Sequence, residues 1–165
     1  MTQRLLDGVP VEVLERRMWP GHWCAEGYLR QGDCLPELIA ADAALLAGLG
    51  VKANSVAARL QDVLERGSDS EWEPVRVDRW FLTIKRTRKM RGCPWAQSSI
   101  DLCRIGAGAM KLSSNDFLLR RQGVDGVVRG TGLSIHLIRD HGFFCGPGTP
   151  YRIEPELAVD VLGLV

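Results

Sequence analysis

The chain has 165 residues, 45% of them hydrophobic and 25% charged, with a formal net charge of +1. That composition suits a globular protein long enough to bury a core. It excludes a membrane-spanning chain, since Asp42 interrupts the best apolar stretch, and a disulfide scaffold, since the five cysteines are odd in number and unpaired in spacing.

The charge is unevenly spread. Residues 1–74 hold 7 Lys/Arg against 12 Asp/Glu, and residues 75–165 hold 14 against 8. The halves are charge-complementary, so they either pack on each other or leave the basic half to an anionic partner. The opening residues lack the apolar run of a signal peptide, and free thiols suit a reducing compartment, so a cytoplasmic protein is expected.

In chain order, residues 4–18 are apolar but broken by Gly8 and Pro10, which predicts a turn followed by a helix or strand. Met18–Cys24 reads as a loop anchored by two tryptophans. Pro36–Ala47 is a predicted helix with Pro36 in its first turn, stopped by Gly48 and Gly50. Ser55–Arg66 is a second, with Val56, Leu60 and Val63 on one face. Gly67–Pro74 is a polar linker. From Val75 the period falls to two, which predicts one strand to Ile84, continued as a charged ribbon to Arg91. Ser99–Ile105 is a second strand candidate. Asn115-Asp116 reads as a turn or cap. Gly123–Gly126 reads as a hairpin turn before a short strand at Val127-Val128. Residues 132–141 form a helix ended by Gly142. The tail from Tyr151 is read as partly extended and apolar.

Three constellations carry candidate chemistry. The first is Cys93, Cys103, His136 and His141, with Cys145 nearby in sequence. Two thiols and two imidazoles are a zinc donor set, and a strand turn plus a helix can present them tetrahedrally. The spacing follows no zinc-finger pattern. Five residues on a helix separate two side chains by roughly 140°, so His136 and His141 converge only if Gly142 ends the helix and His141 turns inward. Local pairing of His136 with Asp140 and a helix-end role for His141 are the preferred reading of these residues from sequence, narrowly ahead of zinc. A cysteine–histidine enzyme using Cys93 or Cys145 is a third option, without a local signature.

The second is residues 42–65. The run Leu49-Gly50-Val51, with Val56 and Leu60 after it, resembles a helix-turn-helix. The resemblance covers about 24 residues and implies DNA contacts from Lys52, Asn54, Ser55 and Arg59. The same glycine and apolar contacts also make a plain helix hairpin, and that reading is preferred because Pro36–Arg66 holds three basic and four acidic residues.

The third is the basic ribbon Lys85, Arg86, Arg88, Lys89 and Arg91, with Arg76, Arg79, Trp80, Phe81 and Trp95 around it. Cations with stackable aromatics suit single-stranded nucleic acid. Strand alternation, however, puts Trp80 and Phe81 on opposite faces.

The expectation is therefore an α+β protein of one domain over residues 1–165. Its helical hairpin region spans 1–67, and a β-rich region over 75–165 holds a mixed, mainly antiparallel sheet and one short helix. The leading function is a non-enzymatic intracellular binding module with a candidate structural zinc site. The alternatives are a nucleic-acid-binding regulator and a metal- or cysteine-dependent enzyme. A protein partner, or self-association through Leu157–Val165, is the expected kind of interaction; no membrane is expected.

Overall fold

The structure, a computed structural model, describes residues 2–69, 71–106 and 113–165, without the side chains of residues 88–90, 113 and 114. The side chains of Arg88 and Lys89 therefore lie outside the described residues. Among those residues, no helix is long and apolar enough to cross a membrane.

The chain is α+β. It opens with a two-stranded hairpin, β1 (Leu5–Leu6) and β2 (Val9–Pro10), then three helices: α1 (Val11–Met18), α2 (Leu35–Gly48) and α3 (Ala53–Arg66). Four strands follow: β3 (Val75–Val77), β4 (Trp80–Arg91), β5 (Ser113–Arg121) and β6 (Val128–Thr131). They form one sheet in sequence order with every pairing antiparallel, which narrows the expected mixed sheet. Helices α4 (Gly132–His141) and α5 (Pro155–Leu162) complete the order.

Several sequence expectations are corrected. The strand from Val75 is two strands, because Asp78 takes a left-handed φ of 52° and turns the chain tightly with Arg79. Aspartate tolerates this region better than most residues, so no glycine marked the turn. Ser99–Ile105 is a loop with a single bridge at Cys103. Asn115 and Asp116 lie inside β5, paired with Arg86 and Lys85. The tail forms α5 instead of an extended segment, and Ala158, Val159, Val161 and Leu162 are buried within the chain. Of the tail named for self-association, Leu157 and Leu164 are half-buried and Val165 is exposed. Gly123–Gly126 does lie in the β5–β6 hairpin connection.

The apolar residues form two clusters. One joins α3, α5 and one face of the four-stranded sheet, through Val56, Leu60, Val63, Leu82, Phe117 and Leu119. The other joins α1, the start of α2 and the loop after β4, through Leu14, Met18, Leu35, Trp95 and Cys103. Helix α4 serves both: Ile138 enters the first cluster, Leu133 and Leu137 the second. A helix with apolar residues around most of its girth has this kind of central position.

The residues of the helix-turn-helix resemblance form two helices and a turn. Helices α2 and α3 are joined by a tight turn at 49–52, where the Val51 N–H donates to the Leu46 carbonyl. Val56 and Leu60 enter the same core cluster as Leu46 of α2, α5 and the sheet, and α3 lies chiefly along α4.

The acidic and basic halves do meet. Asp42 on α2 receives a two-pronged contact from Arg152, at 2.5 and 2.7 Å, with each side chain only 9% exposed. The same guanidinium donates to the Cys145 carbonyl.

A candidate metal centre

Each ligand of the first constellation has its own local reason to be where it is. β4 ends at Arg91, whose guanidinium is buried between Asp116 (2.7 Å) and the Tyr151 hydroxyl (2.6 Å). That anchor sends Gly92 and Cys93 inward. Pro94 and Trp95 then turn the chain, and Arg17 on α1 donates to the carbonyls of Pro94 and Ala96. The loop returns to place Cys103 against the same spot.

Helix α4 supplies the histidines. It starts in a capping box in which the Thr131 N–H donates to the Ser134 hydroxyl oxygen. It ends at Gly142, whose φ of 62° suits the left-handed cap that glycine takes without penalty. The helix stays regular through His141, its last residue. The two rings nevertheless close to a centroid separation of 5.0 Å, edge to face. The angular gap expected from helical spacing is thus spanned by the side chains themselves.

The potential donor atoms of Cys93, Cys103, His136 and His141 all lie within 4.8 Å of one another, and all four residues are buried. His141 Nε2 is 3.4 Å from Cys93 Sγ and 3.6 Å from Cys103 Sγ. A tetrahedral ion with bonds of about 2.0–2.3 Å has donor-to-donor edges of roughly 3.5 Å, so these pairs already stand at the required separation.

Carboxylates stand behind both rings. His141 Nδ1 is 2.9 Å from Asp7 Oδ2, which leaves Nε2 facing the sulfurs. His136 Nδ1 is 2.7 Å from Asp140 Oδ2. His136 Nε2 is buried without a hydrogen-bond partner. A donor set with an orphaned imidazole nitrogen suits a cation better than a set of mutual hydrogen bonds.

Burial controls the protonation states. It is the main cause that pushes His136 down to about 4, helped by the neighbouring His141. It also lowers His141, against the pull of Asp7. Both rings are therefore neutral near pH 7, the form that ligates a metal. Burial holds the Cys93 thiol well above its ordinary range, so a thiolate there needs a compensating positive charge.

Trp95 covers the outer side. Its ring stacks on His141 at 3.9 Å and 6°, and its indole N–H donates to the Leu6 carbonyl. Asp7 and Leu6 both belong to the first hairpin, so the N-terminal segment closes over the cluster. Asp7 was not among the candidate residues in the sequence, and Trp95 was named only beside the basic ribbon, not beside the Cys/His set. Asp7 stands 134 positions from His141, and only its place in the Asp7-Gly8 turn marked it at all.

The nucleic-acid candidates are not gathered in one place. Lys52 and Asn54 are exposed around the start of α3. Arg59 donates to the Leu162 carbonyl and lies over the Trp80 ring. Lys85 is half-buried, Arg86 is exposed, and Arg91 is buried and paired, so it belongs to the fold's interior and not to a surface ribbon. Cys145 is also buried, its thiol pushed up to about 12 chiefly by burial, and so lacks the thiolate character of a nucleophile. No family model, curated protein or solved structure matches the chain.

Proposed function

We propose that this chain is a non-enzymatic binding module whose fold is fastened by one zinc ion held by Cys93, Cys103, His136 and His141. The observation that carries this reading is the closure of four buried donor atoms within 4.8 Å. Four protein ligands complete a tetrahedron and leave no position for a substrate, which favours a structural ion over a catalytic one. Two thiolates bring two negative charges, the neutral rings bring none, and a divalent cation balances the set. Asp7 and Asp140 orient the rings from behind. The ion would tie the loop after β4 to α4, and through Asp7 to the N-terminal hairpin. Thiol ligation suits a reducing compartment, which agrees with a cytoplasmic location.

Elemental analysis of the purified chain tests the reading. About one zinc per chain is expected, lost on chelation together with a drop in melting temperature. Cobalt substitution should give the strong visible absorption of a tetrahedral thiolate site. A folded chain that holds no metal and ignores chelators sinks the proposal.

A further inference from the structure

Helices α3, α4 and α5 cover one face of the four-stranded sheet, the face of Val77, Leu82, Phe117, Leu119 and Val128. Strand alternation sends Arg76, Phe81, Lys85, Leu118, Arg120 and Arg129 to the other face, over which no described helix lies. The register sets their arrangement. Arg76, Phe81 and Arg120 are cross-strand partners in one row, and Thr83, Leu118 and Arg129 form the next. Phe81 thus stands between two arginines whose strands lie roughly 10 Å apart, with the Arg76 guanidinium 5.9 Å from the centroid of its ring. Lys85 and Arg129 flank the half-buried Leu118 beyond it.

The acidic groups of this region are engaged or peripheral. Asp116, on the same face, binds Arg91 at 2.7 Å. Asp78 lies in the β3–β4 turn and binds Arg66 at 2.6 Å, and Asp125 sits in the β5–β6 connection. Cations on an open sheet face are ordinary solvation. Exposed large aromatics are not. Among the described residues there are two: Phe81, 39% exposed, and Trp72, 59% exposed. Phe81 is on this face, and the Trp72 N–H donates to the Ile84 carbonyl at the β4 edge.

We infer that this open face is where the module binds its partner, a single-stranded nucleic acid. The inference rests on the binding-module reading above. Phe81, with Arg76 over its ring, offers an aromatic surface on which an unpaired base stacks, and Arg120, Arg129 and Lys85 meet the phosphates. A duplex hides the faces of its bases and leaves Phe81 without a role.

The test uses the whole, metal-analysed chain with fluorescent twelve-nucleotide oligo-U and oligo-dT, a duplex of equal length, and poly-glutamate. The single strands are expected to bind at least tenfold more tightly than the duplex. Affinity should fall with salt at a log–log slope of about −2 to −3, as three or four phosphate contacts require. Phe81→Ala should weaken binding at least about fivefold. Arg120→Glu and Arg129→Glu, at exposed positions, should weaken it further and flatten the slope, with the melting temperature kept. No binding at 50 mM salt, equal binding of the duplex, or indifference to Arg120→Glu in a folded chain overturns the inference. Poly-glutamate bound as tightly as the oligonucleotides also overturns it, in favour of an acidic protein partner. The two readings fail separately: a metal-free chain that still binds the strands upholds this face, and a zinc-loaded chain that ignores them rejects it.

Discussion

Asp7 shows how much a single side chain can do at a distance. Its carboxylate fixes His141 Nδ1 at 2.9 Å although it is itself about half exposed, with 43% of the side chain open to solvent. Asp7→Asn should therefore leave the chain folded but weaken zinc by roughly 10- to 100-fold, measured by competition with a chromophoric chelator. An unchanged affinity would reduce Asp7 to a surface contact. Asp42 is the contrasting case, because its pair with Arg152 is buried on both sides. Asp42→Ala leaves that cation uncompensated and should cost about 3–5 kcal/mol in urea denaturation. A loss below about 1 kcal/mol would mean that water reaches the pair. At this scale the sequence was partly legible. Cysteine and histidine are scarce enough that their clustering in the second half identified all four candidate ligands. Asp7 was hidden because a carboxylate in a turn is commonplace, and its partner lies at the far end of the chain. Arg91 was misplaced because a run of cations reads as solvated until Asp116 and Tyr151 are seen around one of them.

Among the elements, α4 bears the most, and its ends are its weak points. Gly142 holds a left-handed φ that lets the helix stop directly after His141. Gly142→Ala should cost about 1 kcal/mol in chemical denaturation and shift the His141 ring relative to the sulfurs. A neutral outcome would show that the cap is relaxed. Gly106 is more constrained still: a β-carbon there would fall 2.2 Å from Asp140 Oδ1, behind His136. Helices α2 and α3 were legible because their apolar spacing is long and regular and their stops are glycines. Helix α5 was not, since eight residues give barely two turns of periodicity and an apolar run so short fits a strand equally well. The β3–β4 turn escaped for a different reason. Its left-handed residue is Asp78, and alternation runs unbroken in the sequence across a point where the chain reverses.

For the whole molecule, the buried histidines give stability a dependence on pH that a bound metal would share. Burial lowers His136 from 6.5 to about 4 in the folded chain. Between those values the unfolded state binds more protons than the folded one, so stability rises with pH across the window. It should be fully present above about 6.5 and lost progressively as pH falls toward about 4. Protons also compete with zinc for the same ligands, which acts in the same direction. Thermal melts from pH 7.5 to 4 should show this slope, and His136→Ala should flatten it. A melting temperature that rises on acidification would contradict the burial of these rings. The α+β class was legible from the change of period near residue 75. The two apolar clusters sharing one helix were not, because nothing local in α4 distinguishes a face turned to the sheet from one turned to α1.

The tie between Asp7 and His141 also has a meaning in time. A ribosome adds about 5–20 residues per second, so the hairpin that covers the metal centre waits roughly ten seconds for its histidine. His141 lies 134 positions further along the chain and must be reached first. Leu14, Met18 and Leu35, fully buried at the end, spend that interval without the Leu133 and Leu137 that cover them. Newly made chains are thus most exposed to aggregation and proteolysis in their first third, and a metal at the proposed site would bear on yield only once synthesis has passed α4.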